Sequence, residues 1–335
     1  MKVIKQLILI LIIVSVLTLP AYSLTIKIGS IAPARSPWDK ALRELGREWA
    51  KITGGKVKLK IYPGGIAGNQ DDVIRKMRMG ILGGALMVNR GFTKLYRDVY
   101  ALNIPFLITS EDELNYVLDK LKPFYEKAIE KKGFKVVILT RAGFFHFFTK
   151  DPVRYPKDMK KHKLSFTSNE PQMEQAWKKS GYHVVPNDLN DLMMALQSGM
   201  VTAFYLPPLL AGSGQYFPLA PHMCSQPIAP MVGGIVLTKR TWEKIPGKYK
   251  KEIMHACVGL AERLYKKTAE LEKEAVEEMI KHGLKIIDFP PGAIEKWREA
   301  SDKGMNELIG KVFSKEVYDL LLHHLEEFRK KNDNQ

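Results

Sequence analysis

The chain has 335 residues, 45% apolar and 26% charged, with no low-complexity tract, which marks a globular protein rather than a disordered or fibrous one. Its net charge of +16 would suit nucleic acid or an anionic surface, but no nucleic-acid module is present. The lysines are mostly spread along helices beside glutamates, as in Leu271-Glu272-Lys273-Glu274, so a solvated basic surface is the better reading, and two cysteines are too few for a disulfide framework.

Lys2 and Lys5 open the chain, an apolar run follows from Leu7 to Leu19, Pro20 breaks it, and Ala21-Tyr22-Ser23 supplies small residues two apart. This order predicts a signal peptide over residues 1–23, cleaved after Ser23, which places the protein in the periplasm. A retained anchor is the rival, yet the run falls short of the roughly 20 residues that span a bilayer. No later stretch is long and apolar enough to cross a membrane. Some 310 residues remain, more than one core usually holds, so two domains are expected.

Leu24 to Gly29 alternates as a first strand. Pro37 starts an amphipathic helix with Trp38, Ala41, Leu42, Leu45 and Trp49 at spacings of three and four, ended by Gly54-Gly55. Val57, Leu59 and Ile61 alternate with lysines as a half-exposed strand. Asp71 and Asp72 open a helix expected to bury Val73, Ile74, Met77 and Ile81, and Ala85 to Val88 is a short strand. The order β-α-β-α-β argues for a parallel sheet with crossover helices. A second such unit follows, with strands at Lys135–Thr140, Gly143–Thr149, Lys163–Phe166 and His183–Val185, and helices around Trp177 and over Asp188–Met200. Ile235 to Thr238 returns the chain to the first unit. Tyr249 to Gly283 reads as one long amphipathic helix, with further helices around Ile294–Ile309 and Lys315–Lys330. The expected fold is α/β, two-lobed and periplasmic-binding-protein-like, with a hinged cleft and a long lobe-bridging helix. Residues 24–150 plus about 234–280 form lobe I. Residues 151–233 plus parts of the C-terminal helices form lobe II.

Several segments carry a resemblance that spans nearly the whole chain after the leader. They are Ser36-Pro37-Trp38, Tyr62-Pro63-Gly64-Gly65-Ile66-Ala67-Gly68-Asn69, Asn103-Ile104-Pro105-Phe106-Leu107, Gly143-Phe144-Phe145-His146-Phe147-Phe148-Thr149, Ala195-Leu196-Gln197-Ser198-Gly199 and Trp242-Glu243-Lys244-Ile245-Pro246. In this order and spacing they resemble the extracytoplasmic receptors of TRAP transporters, the DctP family. The resemblance implies a solute-binding receptor that captures a small molecule by domain closure and hands it to TRAP transporter membrane subunits. It also allows a tetratricopeptide-repeat periplasmic protein as partner, and it implies neither a cofactor nor a metal.

The departures concern the ligand. The family grips an organic acid with arginine, whose fork matches a carboxylate. Aligned on the family's motifs, Phe145 and Ser165 stand at its two arginines, and Leu206 stands at its asparagine. A buried carboxylate without its partner costs about 3–5 kcal/mol, so an apolar or amphipathic ligand is expected instead. Strand alternation puts Phe145 and Phe147 on one face and Phe144, His146 and Phe148 on the other. Candidate cleft residues are therefore Phe145, Phe147, Ser165, Leu206 and Tyr205, joined by Trp38, Asn89, Phe92, Ser168 and Asn187. Two alternatives stand: an organic-acid receptor with a relocated cation at Arg35, Arg90 or Arg141, or a periplasmic adaptor without a transport ligand.

Enzyme readings find no support, since G-x-S-x-G, P-loop, H-E-x-x-H and paired cysteine ligands are all missing. His222 and His323-His324 read as surface histidines, and Asp71-Asp72 as acids in a helix's first turn. Cys224 and Cys257 read as two buried free thiols, with one disulfide as the alternative.

Overall fold

A computed structural model describes residues 23–167 and 171–333; residues 1–22, with most of the expected signal segment, and Ser168 lie outside the described residues. The chain begins with β1 (Leu24–Ser30), α1 (Pro37–Ile52), β2 (Val57–Tyr62), α2 (Gln70–Arg78), β3 (Gly84–Val88) and α3 (Asn89–Leu95). A 3-10 segment and α4 (Glu111–Lys131) lead into β4 (Phe134–Thr149). Then come α5 (Pro156–Met159), β5 (Lys163–Thr167), α6 (Pro171–Lys179), β6 (His183–Asn187), α7 (Leu192–Gln197), β7 (Ala203–Leu206), α8 (Pro208–Ser213), β8 (His222–Cys224) and β9 (Ala229–Thr238). The last elements are α9 (Lys239–Glu243), α10 (Gly247–Lys281), β10 (Lys285–Ile287), α11 (Ala293–Met305) and α12 (Lys315–Asp333).

Local chemistry explains the starts of the early helices. Ser36 accepts from the Asp39 N–H and Pro37 fills the first turn of α1. Asn69 caps α2 through the Asp72 N–H, with Asp71 and Asp72 in the first turn, where acids meet the helix's positive end. Ser110 caps α4 in the same way. Helix α2 stops at Arg78, one turn earlier than its apolar spacing predicts, because Gly80 takes a left-handed conformation. Ile81 therefore points outward, 49% exposed, rather than into the core.

The strands join in the order β2-β1-β3-β9-β4-β7-β5-β6, with β8 and β10 at the side of β4. β2, β1 and β3 are parallel, as the crossover pattern predicts; β9 then pairs antiparallel with both β3 and β4. Two separate sequence segments, Lys135–Thr140 and Gly143–Thr149, prove to be one 16-residue strand. β4 pairs with β9 in its first part and with β7 and β8 in its last, so it belongs to both halves of the sheet. Register shifts near Val137 and between Arg141 and Phe144 bend it, and Gly143 at the second has φ 108°, a backbone state that favours glycine.

Three apolar clusters hold the layers together. Ile28, Leu45 and Trp49 of the first half pack with Val137, Ile235 and Leu260 between the sheet and helices α1 and α10. Phe148, Phe204 and Leu192 pack with Met279 at the far end of α10. The largest cluster starts beneath α2 and α4 and continues without a break into the second half through Phe106, Phe147 and Trp297. Phe147 lies 5.5 Å from Trp297, ring centre to ring centre, and 6.4 Å from Phe106. Helix α10, 35 residues and so about 52 Å long, contacts α1, β4 and α8 and thereby braces both halves. Near the C-terminus, α12 docks on α4 through Arg329, whose Nε meets Glu113 at 2.6 Å and whose Nη2 donates to the Leu107 carbonyl.

Candidate functional site

Strand direction decides where the site lies. β4 runs from the first half into the second, parallel to β1 and β3, whereas β5, β6 and β7 run back the opposite way. The carboxyl ends of both sets, Ser30 and Val88 on one side and Thr167, Asn187 and Leu206 on the other, converge on the middle of β4. Ligands of open α/β sheets bind in crevices at such ends.

Phe145 projects from β4 at this place. Its ring meets Tyr205 edge-on at 5.6 Å between centres, and Tyr205 in turn tilts against Phe166 at 6.0 Å. Phe145 and Tyr205 are only partly buried, whereas Phe166 is buried. On the next strand pair, Asn187 donates from Nδ2 to Ser165 Oγ at 3.3 Å and to the Asp188 carbonyl at 3.0 Å. Leu206 stands opposite His146 in the β4–β7 ladder. His146 Nδ1 lies 2.9 Å from the Cys224 carbonyl, and burial lowers the imidazole's pKa, so it presents no cation here at neutral pH.

The structure brings Phe145 and Tyr205 together and pairs Ser165 with Asn187, whereas Leu206 packs on the other face of the sheet with the Phe148, Phe204 and Met279 cluster, and three other candidates are buried. Phe147, at 0% exposure, is walled in by Phe106, Trp177 and Trp297. Phe92 is equally buried, packed over Gly234, where a Cβ would come within 2.9 Å of its Cζ and would collide with the Ile138 carbonyl. Alternation had put Phe147 at the cleft, but the face it shares with Phe145 passes from crevice to core within two residues. Asn89 spends its amide on the backbone, donating to Pro230 O at 3.1 Å and accepting from Val232 N at 2.8 Å. Trp38 is partly buried and lies along β9, its indole 3.0 Å from where a Cβ of Gly233 would stand.

Two of the three alternative arginines are engaged elsewhere. Arg90 Nη2 meets Asp71 at 2.6 Å. Arg141 lies flat on Tyr265, 3.5 Å from the ring centre, and also donates to Asn115. Arg35 sits exposed in the loop after β1 with φ 67°, its backbone N–H held by Asp39. The cysteines are free and buried, and burial pushes each thiol up to about 12.

Sequence reasoning missed one group altogether. Glu272, in a segment read as solvated helix surface, turns inward from α10 toward the bend of β4. Its Oε1 lies 3.1 Å from the position of a Gly143 Cβ, and its Oε2 accepts from the Leu209 N–H at 3.2 Å. Burial raises this carboxyl to about 7, opposed by the Leu209 hydrogen bond and reinforced by Glu111. Neighbouring lysines in the sequence gave no hint of it.

The sequence model of bacterial extracellular solute-binding protein family 7 matches residues 28–311. The chain belongs to that family. Among its relatives, the 2,3-diketo-L-gulonate-binding periplasmic protein of Escherichia coli is 22% identical, over 70% of this chain and 72% of that one. A TRAP periplasmic solute-binding protein from Ochrobactrum anthropi, its C-terminus bound in the ligand-binding pocket, superposes with a TM-score of 0.83 at 20% identity, covering 94% of this chain and 98% of that one. Another, from Desulfovibrio salexigens with bound orotic acid, gives 0.81 at 18% identity, over 91% and 99%. The two-lobed fold of family 7 is thus the fold of this chain.

Proposed function

We propose that this family 7 protein is a non-catalytic periplasmic receptor whose cleft takes an apolar or amphipathic small molecule and closes on it. The observation that carries the reading is the Phe145–Tyr205–Phe166 aromatic wall. Phe145 in this wall stands where the family resemblance expects an arginine. Each 100 Å² of apolar ligand surface buried there contributes about 2.5 kcal/mol. A carboxylate buried in the same place without a cation costs about 3–5 kcal/mol. Residues 24–150 with about 234–280 act as one lobe, and residues 151–233 with α11 as the other, β4 and α10 serving as the hinge. α12 docks on α4 and so travels with the first lobe. The partners are the membrane subunits of a TRAP-type transporter, and a tetratricopeptide-repeat periplasmic protein fits the same system.

A second reading has its own support. The relatives named above bind 2,3-diketo-L-gulonate and orotic acid, and Arg35 stands exposed in the loop after β1. An acid whose carboxylate reaches Arg35 would then replace the apolar ligand. Thermal-shift titration with matched panels decides between them: stabilisation by lipophilic compounds, unchanged in Arg35→Ala, supports the apolar cleft. Stabilisation by simple organic acids alone, lost in Arg35→Ala, overturns it.

A further inference from the structure

The outer face of the last helix carries a cluster that solute capture does not use. His323, His324 and Glu327 present ligand atoms that all lie within 4.8 Å of one another. Glu327 follows the histidines by four and three residues, the spacings that bring helical side chains onto one face. The two imidazoles sit 5.3 Å apart, centre to centre, tilted by 57°.

The carboxylate is held in a chosen orientation. Lys331 donates to Glu327 Oε1 at 3.1 Å, and the same ammonium donates to the Tyr116 hydroxyl of α4 at 3.1 Å. That leaves Oε2 turned toward His324 Nδ1, at 3.4 Å. The ring of Tyr116 stands edge-on to His324, which limits where that imidazole can turn. Outer groups that fix a ligand's orientation in this way are a regular companion of metal coordination.

We propose that His323, His324 and Glu327 form a binding site for a divalent transition-metal ion of the zinc, nickel or copper type. Two imidazoles and one carboxylate match the ligand preference of these ions and offer little to magnesium, which favours oxygen. A tetrahedral ion needs its ligand atoms about 3.3 Å apart, given metal–ligand bonds near 2.0–2.1 Å. The exposed His323 side chain closes the remaining gap by rotation. Three protein ligands leave one position for water or for a donor from another molecule. Lys331 and Lys120, the latter 5.5 Å from the Tyr116 ring centre, put positive charge nearby and make this a site of moderate affinity.

The test is calorimetric titration of Zn²⁺ into the full chain without its leader and without an affinity tag, with Mg²⁺ as the control. We expect one equivalent of Zn²⁺ bound and none of Mg²⁺. His323→Asn and Glu327→Gln should each weaken binding about tenfold or more. Both changes leave the apolar packing of α12 untouched, and circular dichroism confirms that each variant is folded. Zn²⁺ affinity unchanged in the two variants places the ion elsewhere, for instance at His282 and Glu278, and overturns the proposal. So does the absence of any Zn²⁺ binding by the unmodified chain.

Discussion

Replacing Glu272 with glutamine isolates a carboxyl turned into the bend of β4. In the folded protein burial raises this group from the ordinary 4.5 to about 7, so the folded state holds the proton more tightly than the unfolded chain does. Its contribution is fully present below pH 4.5 and is lost as pH rises through 7. At 1.36 kcal/mol per decade, the gap corresponds to about 3 kcal/mol, and solvent reaching the partly exposed side chain reduces it toward 2. Glutamine keeps an acceptor for the Leu209 N–H and the volume against Gly143, but it has nothing to ionise. Urea unfolding of both proteins at pH 5 and pH 8 supplies the measurement. The stability advantage of the variant should grow by about 1.5–2.5 kcal/mol between the two pH values, since pH 5 already lies above the unfolded group's 4.5. Parallel pH profiles would show that the carboxyl is solvated, and the account of the bend would be wrong. Because the group joins the brace helix to the segments that cross between halves, ligand affinity measured over the same range should shift with it.

Other expectations follow from single contacts. Trp297→Ala removes the ring that meets Phe106, Phe147 and Phe289, and should cost about 3–5 kcal/mol in urea unfolding. Gly234→Ala drives a methyl into the Ile138 carbonyl and against Phe92, so its melting temperature should fall by several degrees. Cys224 and Cys257, raised by burial, should resist alkylation in the native protein and react only after denaturation, as intact-mass analysis would reveal. Phe145→Arg introduces a guanidinium beside Tyr205 and should shift the thermal-stabilisation profile from lipophilic compounds toward carboxylates.

Much of the architecture was legible because periodicity and punctuation agree locally. The α1 stripe from Trp38 to Trp49, the start of that helix at Pro37 and the length of α10 could all be read from residue order, whereas the Ser36 and Asn69 caps show only in the structure. What escaped depends on contacts remote in sequence. In the sequence β4 reads as two strands, Lys135–Thr140 and Gly143–Thr149, and only pairing with β9 carries the ladder across Arg141 and Ala142. Phe145 and Phe147 share one side of a strand, yet Trp297, 150 residues further on, seals the second and not the first. Glu272 is one glutamate among many on an amphipathic helix, and its environment is made by Gly143 and Leu209.

The aromatic floor through Phe106, Phe147 and Trp297 has a consequence for how the molecule comes apart. Neither half owns a complete interior, so a nick between them would not release two self-sufficient pieces. Each fragment would carry a raw aromatic face and would aggregate or seek its complement. Heating should accordingly give one calorimetric transition rather than two, whatever freedom the crevice has to open and shut.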